Sequence, residues 1–294
     1  MNAAKQTLVV TVVAVLALGA TALADWNPGD PHKMHFPQLP DPGGWDVAFG
    51  WWDDSQGDPM YIPNLLADDW RCSEDGEVTD VHFWVSMQGD FTETTQEIPF
   101  HIWGVDVNFY KDDRSGTYSK PGEFITGGFI PDDRLNVRRY GGGQQGWYNP
   151  GTGEHIPPND INPDHINIYQ VNIPELDFPF LQIEGEIYWV ELNVYAEDLN
   201  AEPVTLGWKT ADLGRYPDPF TGEHFEDDAV WMLWEEMSLP GEYQMVGYQE
   251  LILWPDASGI SRDLAFVITP EPATLALLGL GAAGLVARRR RNRG

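Results

Sequence analysis

Carboxylates dominate the chemistry that this sequence offers. Adjacent pairs recur along its 294 residues, at Asp53-Asp54, Asp68-Asp69, Asp112-Asp113, Asp132-Asp133, Asp227-Asp228 and Glu235-Glu236. A glycosidase needs two carboxyl groups about 5.5 Å apart for retention, or up to about 9.5 Å for inversion. Neighbours on a strand point to opposite faces, so no adjacent pair supplies that geometry by itself. Calcium asks less, about six to eight oxygens from carboxylates and carbonyls in a flexible loop. The runs Asp53-Asp54-Ser55-Gln56-Gly57-Asp58 and Asp112-Asp113-Arg114-Ser115-Gly116 are therefore candidate calcium donors, through Asp53, Asp54, Asp58, Asp112 and Asp113. Neither run has EF-hand spacing, and each reads first as a solvated turn.

Signatures of nucleophilic, zinc or phosphate chemistry are missing. There is no G-x-S-x-G elbow, no H-E-x-x-H pair and no Walker loop. Gly141, Gly143 and Gly146 match G-x-G-x-x-G formally, but Trp147-Tyr148-Asn149-Pro150 follows, which cannot open the helix that would hold a pyrophosphate. The seven histidines are scattered, with His32 and His35 in a Pro-rich stretch, and read as structural. Cys72 is the single cysteine, so an internal disulfide is excluded. It reads as a small buried apolar group, with an intermolecular disulfide or a reactive thiol as the alternatives. No enzymatic activity is expected.

Aromatic placement is the more specific signal. Along 78 to 87, Val81, Phe83 and Val85 share the apolar parity, which puts Trp84 with Asp80, His82 and Ser86. Along 186 to 195, Tyr188, Val190, Leu192 and Val194 face one side, and Trp189 joins Glu191, Asn193 and Tyr195 on the other. Aromatic rings flanked by carboxylates and amides hold sugars by stacking on C–H faces while the polar neighbours take the hydroxyls. Trp84, Trp189 and Tyr195 are thus candidate polysaccharide-binding residues. The competing reading is that a loop, or the segment from Trp45 to Trp52, covers them.

The elements that must position these groups are strands. Helical periodicity is absent after Asp25, while period-2 alternation recurs between Gly, Pro, Asn and Asp turn signals. Strands are expected near 78–87, 101–110, 123–130, 165–173, 186–195, 204–210, 229–237, 244–254 and 262–268. In 101–110, Trp103, Val105, Val107 and Phe109 share the inward parity. About a dozen short strands point to one β-sandwich of jelly-roll type over residues 25–269. An internal echo, Thr152-Gly153-Glu154-His155 against Thr221-Gly222-Glu223-His224, reads as repeated turn chemistry or as a paired ligand site.

The ends of the chain read as addresses. Lys5, the apolar core from Leu8 to Ala20 and the small residues Ala22 and Ala24 form a signal helix over 1–24, so the mature chain is expected to begin at Asp25. At the other end stand Pro270, Glu271 and Pro272, an apolar stretch from Ala273 to Ala287, then Arg288, Arg289, Arg290, Arg291 and Arg293. Fifteen helical residues span roughly 22 Å, short of the roughly 30 Å hydrocarbon core, which suits a transient transmembrane helix. The arginines stay cytoplasmic by the positive-inside rule, leaving the body outside.

That order of Pro-Glu-Pro, helix and arginines resembles the PEP-CTERM sorting tail of exported bacterial proteins. The resemblance implies an exosortase-type protease as partner, membrane contact through the C-terminal helix before processing, and delivery to the cell surface or extracellular matrix. An uncleaved membrane anchor predicts the same side of the membrane. Leu66-Ala67-Asp68-Asp69-Trp70-Arg71-Cys72, Val78 to Trp84, Gly207-Trp208-Lys209-Thr210, Asp227 to Trp231 and Asp263 to Ile268 together resemble a family of uncharacterised exported β-proteins that carry the same tail. That family implies fold and location, and no catalytic residue.

Removing 1–24 and 270–294 deletes Lys5, five arginines and Glu271, and so leaves 45 acidic against 11 basic residues. Such a body repels nucleic acid and anionic membrane and favours cations or basic surfaces. The expected function is an exported, non-catalytic surface module binding polysaccharide and calcium. A carbohydrate-active hydrolase or lyase and a purely structural surface protein are the alternatives.

Overall fold

The computed structural model describes residues 25–53, 60–158, 162–212, 229–237, 242–252 and 262–269. The described elements are strands and one 3-10 turn, Asp132–Arg134. The signal segment, the sorting tail, Asp54, Asp58, Asp227-Asp228 and the second Thr-Gly-Glu-His lie outside the described residues, as does the side chain of Asp53.

The first seven-stranded sheet orders β1 (Trp45–Ala48), β15 (Leu206–Lys209), β6 (Val81–Met87), β11 (His165–Ile173), β9 (Asn136–Asn149) and β10 (Glu154–Ile156), with β18 (Phe266–Ile268) also on β6. β1 pairs antiparallel with β15 and parallel with β9, so five of these strands close into a ring. The second seven-stranded sheet orders β17 (Tyr243–Glu250), β16 (Val230–Glu236), β4 (Leu66–Arg71), β13 (Ile187–Asp198), β7 (Phe100–Asp113) and β8 (Lys120–Pro131), with β14 (Pro203–Val204) on β13. Two small ribbons complete the described strands, β2 (Gly50–Asp53) with β3 (Met60–Pro63) and β5 (Gly76–Val78) with β12 (Phe180–Gln182).

One apolar core joins the sheets. Val105, Val107, Phe109, Val190 and Leu192 of the second sheet meet Phe83, Val85, Tyr169, Val171 and Trp208 of the first. Ring contacts cross the interface at 4.8 Å for Phe100 with Tyr169 and 6.0 Å for Trp70 with Phe266. Trp70, Trp84, Trp147, Trp189 and Trp208 are all fully buried. A large aromatic removes roughly 150–250 Å² from water at about 25 cal/mol per Å², so these rings supply the cohesion that a single cysteine cannot. Cys72 is itself buried, its Sγ donating to the Glu74 carbonyl at 2.9 Å, and burial pushes its thiol up to about 11. That fits the expected apolar role.

The all-β class and the expected strands are present, β11 with its bounds unchanged. β9 was not expected. Its glycines lie within a strand rather than at a helix N-terminus, and three of them let other backbone approach; a Cβ on Gly143 would lie 1.8 Å from the Pro42 carbonyl oxygen. The described copy of the echo is the β9–β10 turn, where Asn149 Oδ1 accepts the Gly151 and Thr152 amides at 3.0 and 3.3 Å. Turn chemistry accounts for this copy.

Candidate functional site

The outer face of the second sheet carries the groups that the sequence singled out, and it divides into a sealed half and an open half. Trp189, Glu191, Asn193 and Tyr195 alternate out of β13, as their parity requires.

The sealed half surrounds Trp189. Its indole is fully buried among Ala67, Val230, Tyr110, Tyr118 and Tyr248. Tyr118, in the β7–β8 connection, donates to the Tyr248 carbonyl of β17 at 2.5 Å, so elements from the two edges of the sheet meet across this face. Glu191 accepts from Asn108 Nδ2 at 2.8 Å, from Tyr110 Oη at 3.2 Å and from the Tyr248 hydroxyl. Trp189 Nε1 donates to Asp112 at 3.0 Å, and Asp112 also takes the Ser119 hydroxyl and Arg114 Nε, the latter at 2.6 Å. Opposite Trp189 on β4 sits Asp69, whose two carboxyl oxygens are buried and without a hydrogen-bond partner. Burial first, then the charges of Asp68, Asp263 and Asp112, pushes Asp69 well above the usual carboxylate range.

These contacts correct two expectations. Trp189 does not face solvent, because the sheet folds over its own outer surface. Trp84 does not either. The face of β6 that bears it turns inside the closed ring of the first sheet, where Trp26 and Tyr140 pack edge-on at 6.1 and 5.3 Å. Asp112 and Asp113, the calcium candidates whose side chains are described, both make contacts within the protein. Asp112 is spent on Trp189, Ser119 and Arg114, and Asp113 accepts the Ser115 amide at 2.9 Å as a turn residue. Among the described residues no three His, Cys, Asp or Glu side chains converge as metal ligands.

The open half lies at the other end of β13, around Tyr195. The β7–β13 register shifts there. Tyr195 faces Gly104 and Ala196 faces Ile102, which leaves Trp103 as the extra residue of a β-bulge. The bulge reverses the parity of everything before it, so Phe100 and Ile102 point into the core while Trp103 is 45% exposed. Trp103 was expected on the inward face with Val105, Val107 and Phe109; the extra residue turns it out. It is the one exposed tryptophan among those whose side chains are described.

Trp103 stacks on Tyr195 at 4.7 Å between ring centroids and 28° between planes. Phe129 of β8, also 45% exposed, leans on both at 6.0 and 6.3 Å. It can do so because Gly104 has no Cβ; an added one would lie 1.9 Å from the Phe129 ring. Tyr61 of β3 closes the other side, 6.1 Å from Tyr195 and donating to Asn193 at 3.4 Å. Tyr195 donates to Asp106 at 2.7 Å, and burial, then that carboxylate, push its phenol up to about 12, so it stays neutral.

The result is an open, mainly apolar groove of about 290 Å³ lined by Tyr61, Trp103, Tyr195, Glu197, Pro203 and Val204 among others. At its rim His101 bridges Glu197 and Asp132 at 3.7 and 3.3 Å, all three well exposed. Of the expected ligand-binding residues, Tyr195 alone stands in this groove. Trp103, Phe129, Tyr61 and Glu197 were missed. The available signal was Gly104 inside a strand, which marks a bulge or a close approach.

A family model for a domain of unknown function, DUF7901, matches residues 34–269. The chain belongs to the DUF7901 family. The sandwich and its groove both lie within the DUF7901 match, which begins nine residues after the expected mature terminus at Asp25. A PEP-CTERM protein-sorting motif matches 269–291, over Pro270, Glu271, Pro272 and Arg288 to Arg291. This DUF7901 chain is accordingly an exported protein, processed by an exosortase-type system and sorted to the cell surface. No curated protein and no solved structure matches it.

Proposed function

We propose that this protein is a non-catalytic surface module that holds polysaccharide in the Trp103–Tyr195 groove. On this reading it sits at the cell surface or in the extracellular matrix after its C-terminal helix, a transient membrane anchor, is removed. The sandwich is read as jelly-roll in type. The observation that carries the binding role is the stack of Trp103 on Tyr195, an exposed tryptophan beside a groove rather than under a loop.

The physical case rests on what such a ring does. A solvent-facing indole leaves an apolar face in water at a cost, and a sugar ring covers it with C–H groups while keeping its hydroxyls hydrated. Glu197, in the groove lining, provides polar atoms for those hydroxyls. Trp103 is already packed against Tyr195 and Phe129, which reduces the side-chain freedom lost on binding.

Affinity electrophoresis of the mature chain through gels containing neutral and charged polysaccharides tests the reading. Retardation by at least one polymer, abolished by Trp103→Ala, is expected. Unretarded migration in every gel contradicts it.

A further inference from the structure

The groove's chemistry also selects the charge of its ligand, an inference that rests on the polysaccharide reading. Among its described lining residues Glu197 is the one charged side chain, and no lysine or arginine faces the groove. Two further carboxylates are tied to groove residues, Asp106 under Tyr195 and Asp132 through His101, which also meets Glu197. The surrounding chain carries 46 acidic against 17 basic residues. An anionic sugar such as a uronate would enter an aromatic slot with no cation to meet it and with three carboxylates nearby, which opposes binding at any short range.

The same arrangement suits a positive charge. The faces of Trp and Tyr attract cations through their ring quadrupoles, and attraction grows when the cation is partly desolvated between rings. Here Trp103 and Tyr195 present such rings, Tyr61 stands 6.1 Å from Tyr195, and Glu197 lines the same groove. Glu197 is held from behind by His101 rather than by a lysine or arginine, so its carboxylate is not already neutralised by a permanent cation.

We propose that the groove takes a protonated amino sugar, a glucosamine-type residue of a polysaccharide, with its ring on Trp103 and its ammonium between Glu197 and the aromatic faces. The apolar body of the sugar uses the platform that any glycan would use. The ammonium adds an interaction that neutral and anionic sugars lack.

Calorimetric titration of the mature chain with three oligomers separates the possibilities: β-linked glucosamine, its N-acetylated neutral counterpart and oligogalacturonate. The glucosamine oligomer is expected to bind about tenfold more tightly than the neutral one, with the uronate weakest. Glu197→Gln should erase the preference by lowering the glucosamine oligomer's affinity about tenfold more than that of the neutral oligomer, and Trp103→Ala should remove binding of both. Equal or tighter binding of the neutral oligomer, or a preference that survives Glu197→Gln, overturns the inference and leaves polysaccharide binding standing. Glucosamine binding that survives both substitutions is diffuse attraction to the acidic body and likewise overturns it. Failure of all three oligomers, together with free migration in every polysaccharide gel, removes the binding reading itself.

Discussion

The indole of Trp103 lies 4.7 Å from the ring of Tyr195, nearly parallel to it, on a strand where simple alternation would have buried it. One extra residue in β7 makes the difference. The bulge places Trp103 and Gly104 opposite the single residue Tyr195, and Gly104 in turn admits the ring of Phe129. Platform and glycine are therefore one device.

That dependence gives a first prediction. Gly104→Ala should displace Phe129, because its Cβ would occupy the ring's position. Phe129 is half in solvent and can swing away, so the stability cost should stay near 1 kcal/mol. Polysaccharide affinity should nevertheless fall several-fold. Thermal denaturation and affinity electrophoresis on the same sample check both halves.

Asp69 should be a net cost to the fold at neutral pH. Its folded pKa is raised, by burial and then by Asp68, Asp263 and Asp112, so the native state keeps a proton that the unfolded chain gives up above about pH 4. Stability on its account falls as pH rises from the ordinary carboxylate value towards the raised one. Asp69→Asn should raise the melting temperature at pH 7 and lose that advantage below about pH 4. Melting curves across pH 3 to 8 for both chains measure it.

The interior of the first sheet holds a charged cluster whose pieces are not interchangeable. Asp46 Oδ2 meets His165 Nε2 at 2.8 Å and Lys209 Nζ at 3.0 Å, and Asp164 takes the other imidazole nitrogen at 2.8 Å, with all four side chains buried or nearly so. Burial alone would raise Asp46, but the Lys209 and His165 charges reverse that and hold it low; burial draws Lys209 down. Lys209→Met leaves Asp46 short of its strongest partner and should cost about 3–5 kcal/mol, whereas Lys209→Met with Asp46→Asn should recover much of it. Urea denaturation of the single and double variants gives the comparison.

His165 adds a pH dependence of opposite sense to acid loss. Burial opposes its charge, yet Asp46 and Asp164 raise its pKa above 6.5 in the fold. Its contribution is complete below 6.5 and disappears as pH rises through the folded value. The Asp46 contribution is present above about 3.8 and disappears as pH falls through its lowered one. His165→Gln should therefore flatten the alkaline side of the stability profile and, by removing one of the two charges that hold Asp46 low, weaken the acid-side contribution as well, which melting curves across pH 3 to 9 would measure.

Processing makes a prediction at the termini. Intact mass of the exported protein should place its first residue at Asp25 and its last near Pro270 to Pro272. Retention of Arg288 to Arg291 would mean an uncleaved anchor instead.

Much of the fold was legible because strand patterning is local. The alternation of Val190, Leu192 and Val194 against Glu191, Asn193 and Tyr195 is a property of β13 alone, and the faces came out as read. What covers a face is not local. Trp189 has the parity of a surface residue and is sealed by Tyr118 and Tyr248, which approach from distant chain positions. Trp84 is lost to view for the same reason, through Trp26 and Tyr140. Bulges defeat parity outright, since one unpaired residue inverts all that precede it, as with Trp103. The closure of β1 onto β9 was hidden too, because four glycines gave β9 little apolar alternation to read.

The central claim is that Trp103 is a ligand platform, and its own fluorescence tests it most directly. Among the described tryptophans Trp103 alone is largely exposed, so ligand covering it should shift emission to the blue saturably with added polysaccharide, and Trp103→Ala should abolish that shift without lowering the melting temperature by more than a few degrees. Emission indifferent to every polysaccharide that retards the protein, or a titration unchanged in the variant, would contradict it.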